Sequence, residues 1–407
     1  MLPKRTLPPA AAPIFPRDIL HGLFGALQGH AEIERFQAEL RSLFQVRHCF
    51  AVCSGKAALT LILQALHSLH PDRDQVLIPA FTCYSVPSAI VRAGLQVRLA
   101  DIDPETLDFD FQSLEENLQP TRDILAVVSP HLFGLPADLK RVRGLIPDPK
   151  VSNIEDAAQA MGGVDNGFFL GTQGDVGFFS LGRGKALSAV QGGVVVTDRS
   201  DIGQELESAV QTLNVQSPAQ RLKILAYSLA LSILMQPSMF WIPRSLPGLQ
   251  LGETIFDPGF DMHRFSPFQT GLVENWPQRL CSWQQVRKRN VLHWQGLLTQ
   301  FSWLQPIPSA SSISNIPPLL RYPVLVQNEF LRDALLKSSH KSGLGIMPSY
   351  PDSIDGIEQL QTANDHQSFP GAKQCARRLV TFPVHGYVNQ KDQERIIACL
   401  QNLSGDW

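Results

Sequence analysis

Short apolar runs alternate with helix-like segments from about residue 45 to residue 200, and this alternation strongly limits the folds open to the chain. The runs are short and rich in valine and isoleucine, as buried strands are. They are Cys49–Cys53, Val76–Ile78, Val97–Ala100, Ile124–Val128, Val151–Ile154, Val176–Phe179 and Val194–Val196. The helix-like segments include Lys56–Leu69, Val86–Ala93, Phe111–Leu118 and Ala137–Leu145. The sequence therefore predicts an α/β fold with a mainly parallel sheet covered by helices.

The segments on either side of this region suggest further divisions of the chain. Ala31–Phe44 has helical spacing, and Phe268–Leu298 reads as one long helical segment. The C-terminal part alternates strand-like with helical segments, namely Tyr322–Val326, Glu329–Ser338, Leu379–Phe382 and Lys391–Leu400. We therefore predict an N-terminal arm over residues 1–30, a large domain over 31–260 and a small α+β domain over 261–407.

The composition and the cysteine spacing exclude several classes of protein. The net charge of −2 and the absence of a basic stripe give no sign of nucleic-acid binding. The six cysteines form no C-x-x-C pair and no cluster with zinc-site spacing, so we predict no metal site. The first residues carry no apolar signal segment, and we expect reduced thiols and a cytoplasmic protein.

One hydrophobic helical segment, residues 221–243, stands apart from this pattern. Ile224–Met235 is uncharged, but Pro237 interrupts it, and a single membrane span needs about 20 apolar residues without such a break. Two alternatives stay open. The segment is a helix buried in the core or in a subunit interface, or it makes a peripheral membrane contact through residues 224–242, with Trp241 at the headgroups.

A strand-like run ends in acidic residues at Asn153–Gln159. Ligands of open α/β sheets collect at the carboxyl ends of the strands. A carboxylate at such an edge can pair with a cationic ring nitrogen. An acidic pair after a strand is also common in ordinary solvated turns, so this segment alone decides nothing.

A second segment, Gly174–Ser188, passes from a strand into a glycine-rich turn with Ser180, Arg183 and Lys185. The serine, the arginine and the glycine amides are groups that can face an anion. The spacing is not that of a P-loop. A lysine held in such a turn near a buried group would have a lowered pKa and become nucleophilic, although most loop lysines are solvated charges.

A third segment, Cys53–Thr60, places Ser54-Gly55 between a strand and a helix. The first amides of that helix form a ready phosphate site, and Lys56 adds a cation in the first turn. A plain N-cap by Ser54 explains the same residues.

The three segments together resemble the DegT/StrS-type sugar-nucleotide aminotransferase family, whose members are pyridoxal-5′-phosphate (PLP) enzymes of fold type I. The resemblance covers roughly residues 30 to 400 and is weakest at about 215–260. Further matching stretches are Val76–Thr82, Ala93-Gly94, Leu99–Asp103, His131–Asp138 and Phe382–Tyr387.

The resemblance implies a role for each candidate residue. Lys185 would form the Schiff base with PLP and move the proton, and Asp156 would pair with the pyridine nitrogen. Gln159 would contact the ring or its hydroxyl, while Gly55, Lys56 and Ser180 would hold the phosphate.

The chain departs from the family pattern at several positions. Lys56 stands where the family has threonine, and Cys83 stands where it has the aromatic residue that stacks on the ring. Either the neighbouring Tyr84 stacks on the cofactor, or the smaller Cys83 does. The family asparagine that reaches the partner subunit has no counterpart, and His263 or Arg264 are candidates to replace it.

The resemblance implies a seven-stranded, mainly parallel sheet in the PLP-binding large domain, and a homodimer. It implies amino transfer from an amino acid, expected to be glutamate, to a keto-sugar nucleotide in polysaccharide or secondary-metabolite biosynthesis. Two alternatives stay open at this point. One is a PLP enzyme for a lipid-like or membrane-held substrate, and the other is a non-catalytic ligand-binding relative.

Overall fold

The central sheet of the protein is mainly parallel and seven-stranded, as predicted. The computed structural model describes residues 5–246, 254–308, 317–360, 362–363 and 367–405. The strands of this sheet are β1 (His48–Val52), β2 (Gln75–Pro79), β3 (Gln96–Ala100), β4 (Ile124–Pro130), β5 (Ser152–Asp156), β8 (Val176–Ser180) and β9 (Gly193–Thr197). A two-stranded ribbon of β6 (Val164–Asp165) and β7 (Phe168–Phe169) lies between β5 and β8 in the chain.

The strand order is β1-β9-β8-β5-β4-β2-β3. β9 runs antiparallel to both of its neighbours, and the other six strands run in one direction. The central strands β4, β5 and β8 are buried along their whole length, which explains their unbroken apolar runs. Because six strands are aligned, their carboxyl ends meet along one edge of the sheet.

Most helices that connect and cover the strands follow the sequence-based expectations, but the helix at Pro16–Gln28 lies in the predicted N-terminal arm and was not predicted. In the first half of the chain they are α1 (Pro16–Gln28), α2 (His30–Phe44), α3 (Gly55–Leu69), α4 (Ser85–Arg92), α5 (Phe111–Asn117), α6 (Leu139–Leu145) and α7 (Ser200–Thr212). α3 has the longest buried run of these, since Ala57–Leu63 is buried without a break and packs against the sheet. That burial fixes the position of the first turn of α3.

The hydrophobic segment forms α8 (Pro218–Leu234) and α9 (Trp241–Ser245). The expected long helix at 268–298 is two helices, α10 (Pro267–Leu272) and α11 (Trp276–Leu298). They are separated at Asn275, whose backbone is left-handed with φ 55° and cannot continue an α-helix. Within the described ranges, the structure contains no helix with the length and apolar character that crossing a membrane requires.

The C-terminal part forms a second, antiparallel sheet with the strand order β10-β11-β13-β12. Its strands are β10 (Leu304–Pro306), β11 (Tyr322–Val326), β12 (Met347–Pro348) and β13 (Leu379–Phe382), and its helices are α12 (Glu329–Ser342), α13 (Pro370–Arg378) and α14 (Gln390–Gly405). This arrangement confirms the predicted α+β character. The exact boundaries at residues 30 and 260 stay a prediction.

Residues 5–12 form a segment without helix or strand, here called the N-terminal strap. Arg5 Nη2 donates to Asp392 Oδ2 at 2.8 Å in α14. The backbone of Thr6 donates to Pro237 O, and that of Leu7 to Gly343 O. The strap is thus tied to the C-terminal unit and to the segment that follows α8. The first four residues of the predicted arm lie outside the described residues.

His385 binds the strap through a neutral imidazole. Its Nε2 lies 2.7 Å from Pro8 O, and its Nδ1 accepts the Tyr387 amide. Burial lowers the pKa of His385 from 6.5 to about 4. At a pH between these two values the unfolded chain therefore binds a proton at this residue, whereas the folded protein does not. The free energy of unfolding should therefore fall by about 3 kcal/mol as the pH falls from about 6.5 to 4.

Urea denaturation across this pH range measures the effect. His385→Gln keeps a donor for Pro8 O but does not titrate, so its stability should change less over the same range. An equal pH dependence in both proteins would show that His385 is not the cause.

Candidate active site

The predicted motifs come together at the carboxyl edge of the large sheet. β1, β5 and β8 run in the same direction and end in Val52, Asp156 and Ser180. Ser54 and Gly55 follow β1 directly, and Cys83 follows β2 by a short turn. Segments that are far apart in the sequence therefore line one cavity of about 490 Å³, here called the cradle cavity.

The first turn of α3 forms an anion-binding cradle in this cavity. Ser54 Oγ accepts the Ala57 amide at 3.0 Å and caps the helix. The amides of Gly55 and Lys56 precede any intrahelical acceptor, so they are available to a ligand. A Cβ on Gly55 would lie 3.1 Å from Ser180 Cβ, so this position brings the helix turn against the Ser180 side chain.

The Lys56 side chain already has partners. Its Nζ lies 3.2 Å from Asp257 Oδ2 and 4.4 Å from the centre of the Phe260 ring. We therefore expect the Lys56 backbone amide, rather than its ammonium group, to be the group available to a phosphate.

Lys185 lies in the glycine-rich turn that follows β8. Its backbone amide donates to Gly182 O at 3.2 Å, and the buried Arg287 of α11 donates to Lys185 O and Ala186 O. Within the described ranges, Lys185 Nζ has no hydrogen bond or ion pair, and burial lowers the pKa of this amine. A lysine in this condition is suited to act as a nucleophile and as a base.

Asp156 lies in the same cavity at the end of β5. Its Oδ1 accepts the Ala158 amide at 3.0 Å, and its side chain is buried. Burial raises the pKa of Asp156, and this outweighs the opposing effect of the Lys185 charge. Within the described residues no cation contacts this carboxylate, so it is suited to a cationic ligand group.

Glu155, the neighbour of Asp156, has a structural role. Its Oε1 lies 2.7 Å from His131 Nε2, and both side chains are fully buried. Its carboxylate also accepts the amides of Gly171, Gln173 and Gly174. Burial would raise the pKa of Glu155, but the bonds from His131 and these amides hold it below its usual value. This network fixes the end of β5 and therefore the position of Asp156.

A second cavity of about 670 Å³ adjoins the first at Lys185. Both cavities are lined by Lys56, Cys83, Ser85, Gln159, Arg183 and Lys185. Gln159 Nε2 donates to the hydroxyl of Tyr350 at 2.9 Å, which links the large sheet to the C-terminal unit. Arg321, Ser349 and Tyr350 line the C-terminal side of this second cavity.

α8 has three faces with different surroundings. Ile224, Ser228 and Ser232 are buried against the protein. Lys223 and Tyr227 line the cradle cavity, and one and two turns further Leu231 and Met235 line the second cavity. Leu222, Leu229 and Ile233 are 67%, 49% and 54% exposed on the third face. The hydrophobic segment thus forms part of the wall of both cavities, a position that neither sequence-based alternative included.

The structure brings six of the seven candidate residues together in the cradle cavity: Gly55, Lys56, Asp156, Gln159, Ser180 and Lys185. Tyr84 is the exception. It precedes α4 as its N-cap residue, it is 8% exposed, and it lines neither cavity, whereas Cys83 lines both. The geometry therefore favours Cys83 over Tyr84 as the residue next to a bound ring.

His263 and Arg264, the candidates for the missing asparagine, line neither the cradle cavity nor the second cavity. Arg264 lines a different cavity of about 760 Å³. Arg264 donates to the backbone carbonyls of Gln211 and Leu213, and His263 Nδ1 lies 3.1 Å from Arg264 O. These contacts hold His263 and Arg264 against the C-terminal end of α7.

The predicted site did not include Arg321, Ser349 or Tyr350. A signal was present for the first, because Arg321 is the only charged residue in the apolar run Ile316–Val326. A charge in such a run is rarely buried without a functional or structural partner. Ser349 and Tyr350 carried no comparable signal.

The chain is similar in sequence to several known proteins. The sequence model of the DegT/DnrJ/EryC1/StrS aminotransferase family matches residues 24–401. A GDP-perosamine synthase of Vibrio cholerae is 33% identical over 171 residues, which cover 42% of this chain and 45% of that protein. The match thus spans less than half of this relative's length. An L-glutamine:2-deoxy-scyllo-inosose aminotransferase of Streptomyces lividus is 30% identical over 397 residues, covering 92% of this chain and 86% of that protein.

The fold is shared with solved structures. An E. coli GDP-4-keto-6-deoxy-D-mannose-3-dehydratase with bound hydrated PLP superposes with a TM-score of 0.76 over 98% of this chain and 100% of that chain. The two sequences are 16% identical, so this likeness establishes the fold and no more.

Proposed function

The chain belongs to the DegT/DnrJ/EryC1/StrS aminotransferase family, and on this premise we propose that it transfers an amino group from glutamate to a keto-sugar nucleotide. The exchange is balanced. The donor leaves as a 2-keto acid, and the acceptor carbonyl becomes an amine. The name of one relative, a GDP-perosamine synthase, supports a sugar nucleotide as the acceptor. The name of the other, an L-glutamine:2-deoxy-scyllo-inosose aminotransferase, supports amino transfer from an amino acid to a ketone.

PLP is the proposed cofactor, and the residues of the cradle cavity fit it. The phosphate would bind the amides of Gly55 and Lys56 with the Ser180 hydroxyl. The Asp156 carboxylate, which lacks a cation among the described residues, would pair with the ring nitrogen. When bound, PLP supplies an electron sink for the pair of electrons left at the reacting carbon.

The chain's own residues would then carry the proton. Lys185 Nζ, with its pKa lowered by burial, takes the proton from the donor carbon and returns one to the acceptor carbon. Arg287 positions this lysine by holding its carbonyl, and the Glu155–His131 pair positions Asp156. α8 and the N-terminal strap supply part of the wall of the adjoining second cavity.

The observation that carries the proposal is the position of Lys185. It lies where the cradle cavity meets the second cavity, within the electrostatic reach of Asp156, and it has no competing partner among the described residues. A structural lysine would be paired or solvated. A ligand-binding relative without catalysis would need neither this lysine nor the buried Asp156.

The test is an absorbance spectrum of the purified protein with PLP, before and after an amino donor is added. We expect glutamate, or glutamine in parallel, to remove the long-wavelength band of the lysine-bound cofactor and to release the matching keto acid. A keto-sugar nucleotide added next should restore the band. A stable band that no donor changes would contradict the proposed function.

The exposed apolar face of α8 supports a proposal about partners. We propose that Leu222, Leu229 and Ile233 are covered by a second subunit in a homodimer of a cytoplasmic enzyme.

The apolar lining at Leu231 and Met235 favours one alternative, a lipid-like acceptor presented at a membrane surface. Light scattering and vesicle sedimentation of Leu229→Glu/Ile233→Glu separate the two. Loss of the dimer supports the first proposal, and loss of vesicle binding supports the alternative.

A further inference from the structure

A third cavity of about 760 Å³, here called the outer cavity, lies apart from the candidate active site. It shares no lining residue with the cradle cavity or the second cavity. Its walls come from α1, α2, β1, α7, α8 and the start of α10, and they are mainly apolar at Ile33, Phe50, Leu225 and Phe268. A concave space of this size, lined by apolar side chains with a few polar groups, is typical of small-molecule sites.

Two arginines line the outer cavity, Arg221 near the start of α8 and Arg264 just before α10. Arg221 Nε donates to Gln216 O at 3.2 Å, and Arg264 Nε donates to Leu213 O at 3.0 Å. Neither arginine has an ion pair among the described residues. Glu207, an exposed residue of α7, is the only carboxylate that lines the cavity in the described part of the chain.

These contacts leave most of each guanidinium available to a ligand. A guanidinium carries five N–H donors, and the protein uses one of Arg221 and two of Arg264. The bonds to backbone carbonyls also hold both cations in place without neutralising them. The outer cavity is therefore complementary in charge to an anionic group, for which both arginines are already positioned.

Gln216 gives an independent indication of a ligand. Its Nε2 donates to Gln269 Oε1 at 2.6 Å, whereas its Oε1 is buried and has no hydrogen-bond partner among the described residues. A buried amide oxygen without a donor is costly. Gln216 lines the outer cavity, so a donor bound there could pair with this oxygen after a small rotation of the side chain.

The positions of these groups define the ligand. Because Arg221 contacts the backbone of Gln216, the anionic group and the donor of the ligand must lie within a few bonds of each other. We propose that the outer cavity binds an amphipathic anion, with the anionic group at Arg221 and Arg264, a neighbouring hydroxyl at Gln216, and an apolar body along Ile33 and Phe50. This site does not depend on the proposed amino transfer.

The same cavity is distinct from most of the surface proposed for the second subunit. Leu229 and Ile233 do not line it, while Leu222 is exposed at its mouth. The mouth is completed on α1 by Leu23 and Ala26, both exposed. A ligand can therefore enter between α1 and α8.

The first test uses two probes with the same chain length and opposite charge, 3-hydroxydecanoate and decyltrimethylammonium. Calorimetry on the full-length protein should show binding of the anion and none of the cation. In Arg221→Gln the Kd of the anion should be roughly tenfold weaker, and Arg221→Lys should recover part of the loss. Equal affinities for the two probes, or an unchanged Kd in Arg221→Gln, would overturn the proposal.

The second test locates the site. Ala26→Trp should close the mouth of the outer cavity without entering the core, and it should weaken binding of 3-hydroxydecanoate at least tenfold. Ala31→Trp is the matched control, since Ala31 is an exposed alanine of α2 that does not line the cavity. Equal binding by the two variants would place the site elsewhere. Light scattering gives a further check, because a probe that binds only by splitting the protein into single chains would identify the cavity as a subunit interface and would also overturn the proposal.

Discussion

Replacing Lys185 with alanine is expected to slow amino transfer by roughly 100-fold to 10⁴-fold while the protein stays folded. The residue lies in a turn whose backbone is held by Gly182 O and by Arg287, and neither contact uses the lysine side chain. The substitution therefore removes the amine without removing the scaffold. Stopped-flow absorbance with glutamate measures the rate, and circular dichroism reports the fold.

Two controls identify what the amine contributes. Lys185→Arg keeps a cation but replaces a base whose pKa burial has lowered with one that stays protonated. It should be as inactive as the alanine variant if proton transfer is the essential role. Lys337→Ala removes an exposed lysine of α12 and should behave as the wild-type protein. Activity of Lys185→Ala within tenfold of wild type would exclude Lys185 as the base.

Replacing Asp156 with asparagine should lower the rate of amino transfer by about 100-fold to 1000-fold. Asparagine keeps the size of the side chain and can still accept the Ala158 amide through its oxygen. It cannot supply the charge that keeps a ring nitrogen protonated. Single-turnover rates measure the chemical step, and the Kd for PLP measures binding separately.

The pH dependence of PLP binding provides a second test of the role of Asp156. Burial raises the pKa of this carboxyl in the protein without a cationic ligand, so PLP binding should weaken as the pH falls through that raised pKa. The dependence should disappear in Asp156→Asn. Asp165→Asn, in the β6–β7 ribbon, is a control with the same loss of charge. An Asp156→Asn protein with wild-type single-turnover rates would rule out the proposed pairing.

The strands and helices that form the cradle cavity could be predicted from the sequence. Strand lengths and valine-rich runs depend on local patterning, and parallel strands necessarily place their carboxyl ends together. Asp156 and Ser180 are the last residues of their strands and Ser54 follows the end of β1, so their convergence could be predicted. The resemblance to a known family added the expected roles, and these roles stay predictions until measured.

The apolar part of the second cavity's wall could not be predicted, for a physical reason. The apolar character of Leu231 and Met235 is compatible with a core, an interface or a membrane, and only the tertiary packing of α8 selects the cavity. The same holds for Arg321, whose neighbours in space, Phe133 and Tyr350, are far from it or separated by loops in the sequence. Which of Cys83 and Tyr84 lines the cavity depends on the backbone geometry of the turn after β2. The types of the two residues do not determine that geometry.

The N-terminal strap has a consequence for how the protein is made. Arg5 bonds to Asp392 across 387 residues, and Pro9 and Ala10 complete the wall of the second cavity. During translation the strap leaves the ribosome before its partner in α14, which follows roughly 20 to 80 seconds later at typical elongation rates. The second cavity can therefore close only after α14 has been made. Until then the nascent chain carries an open site and a free strap, both within reach of chaperones and proteases.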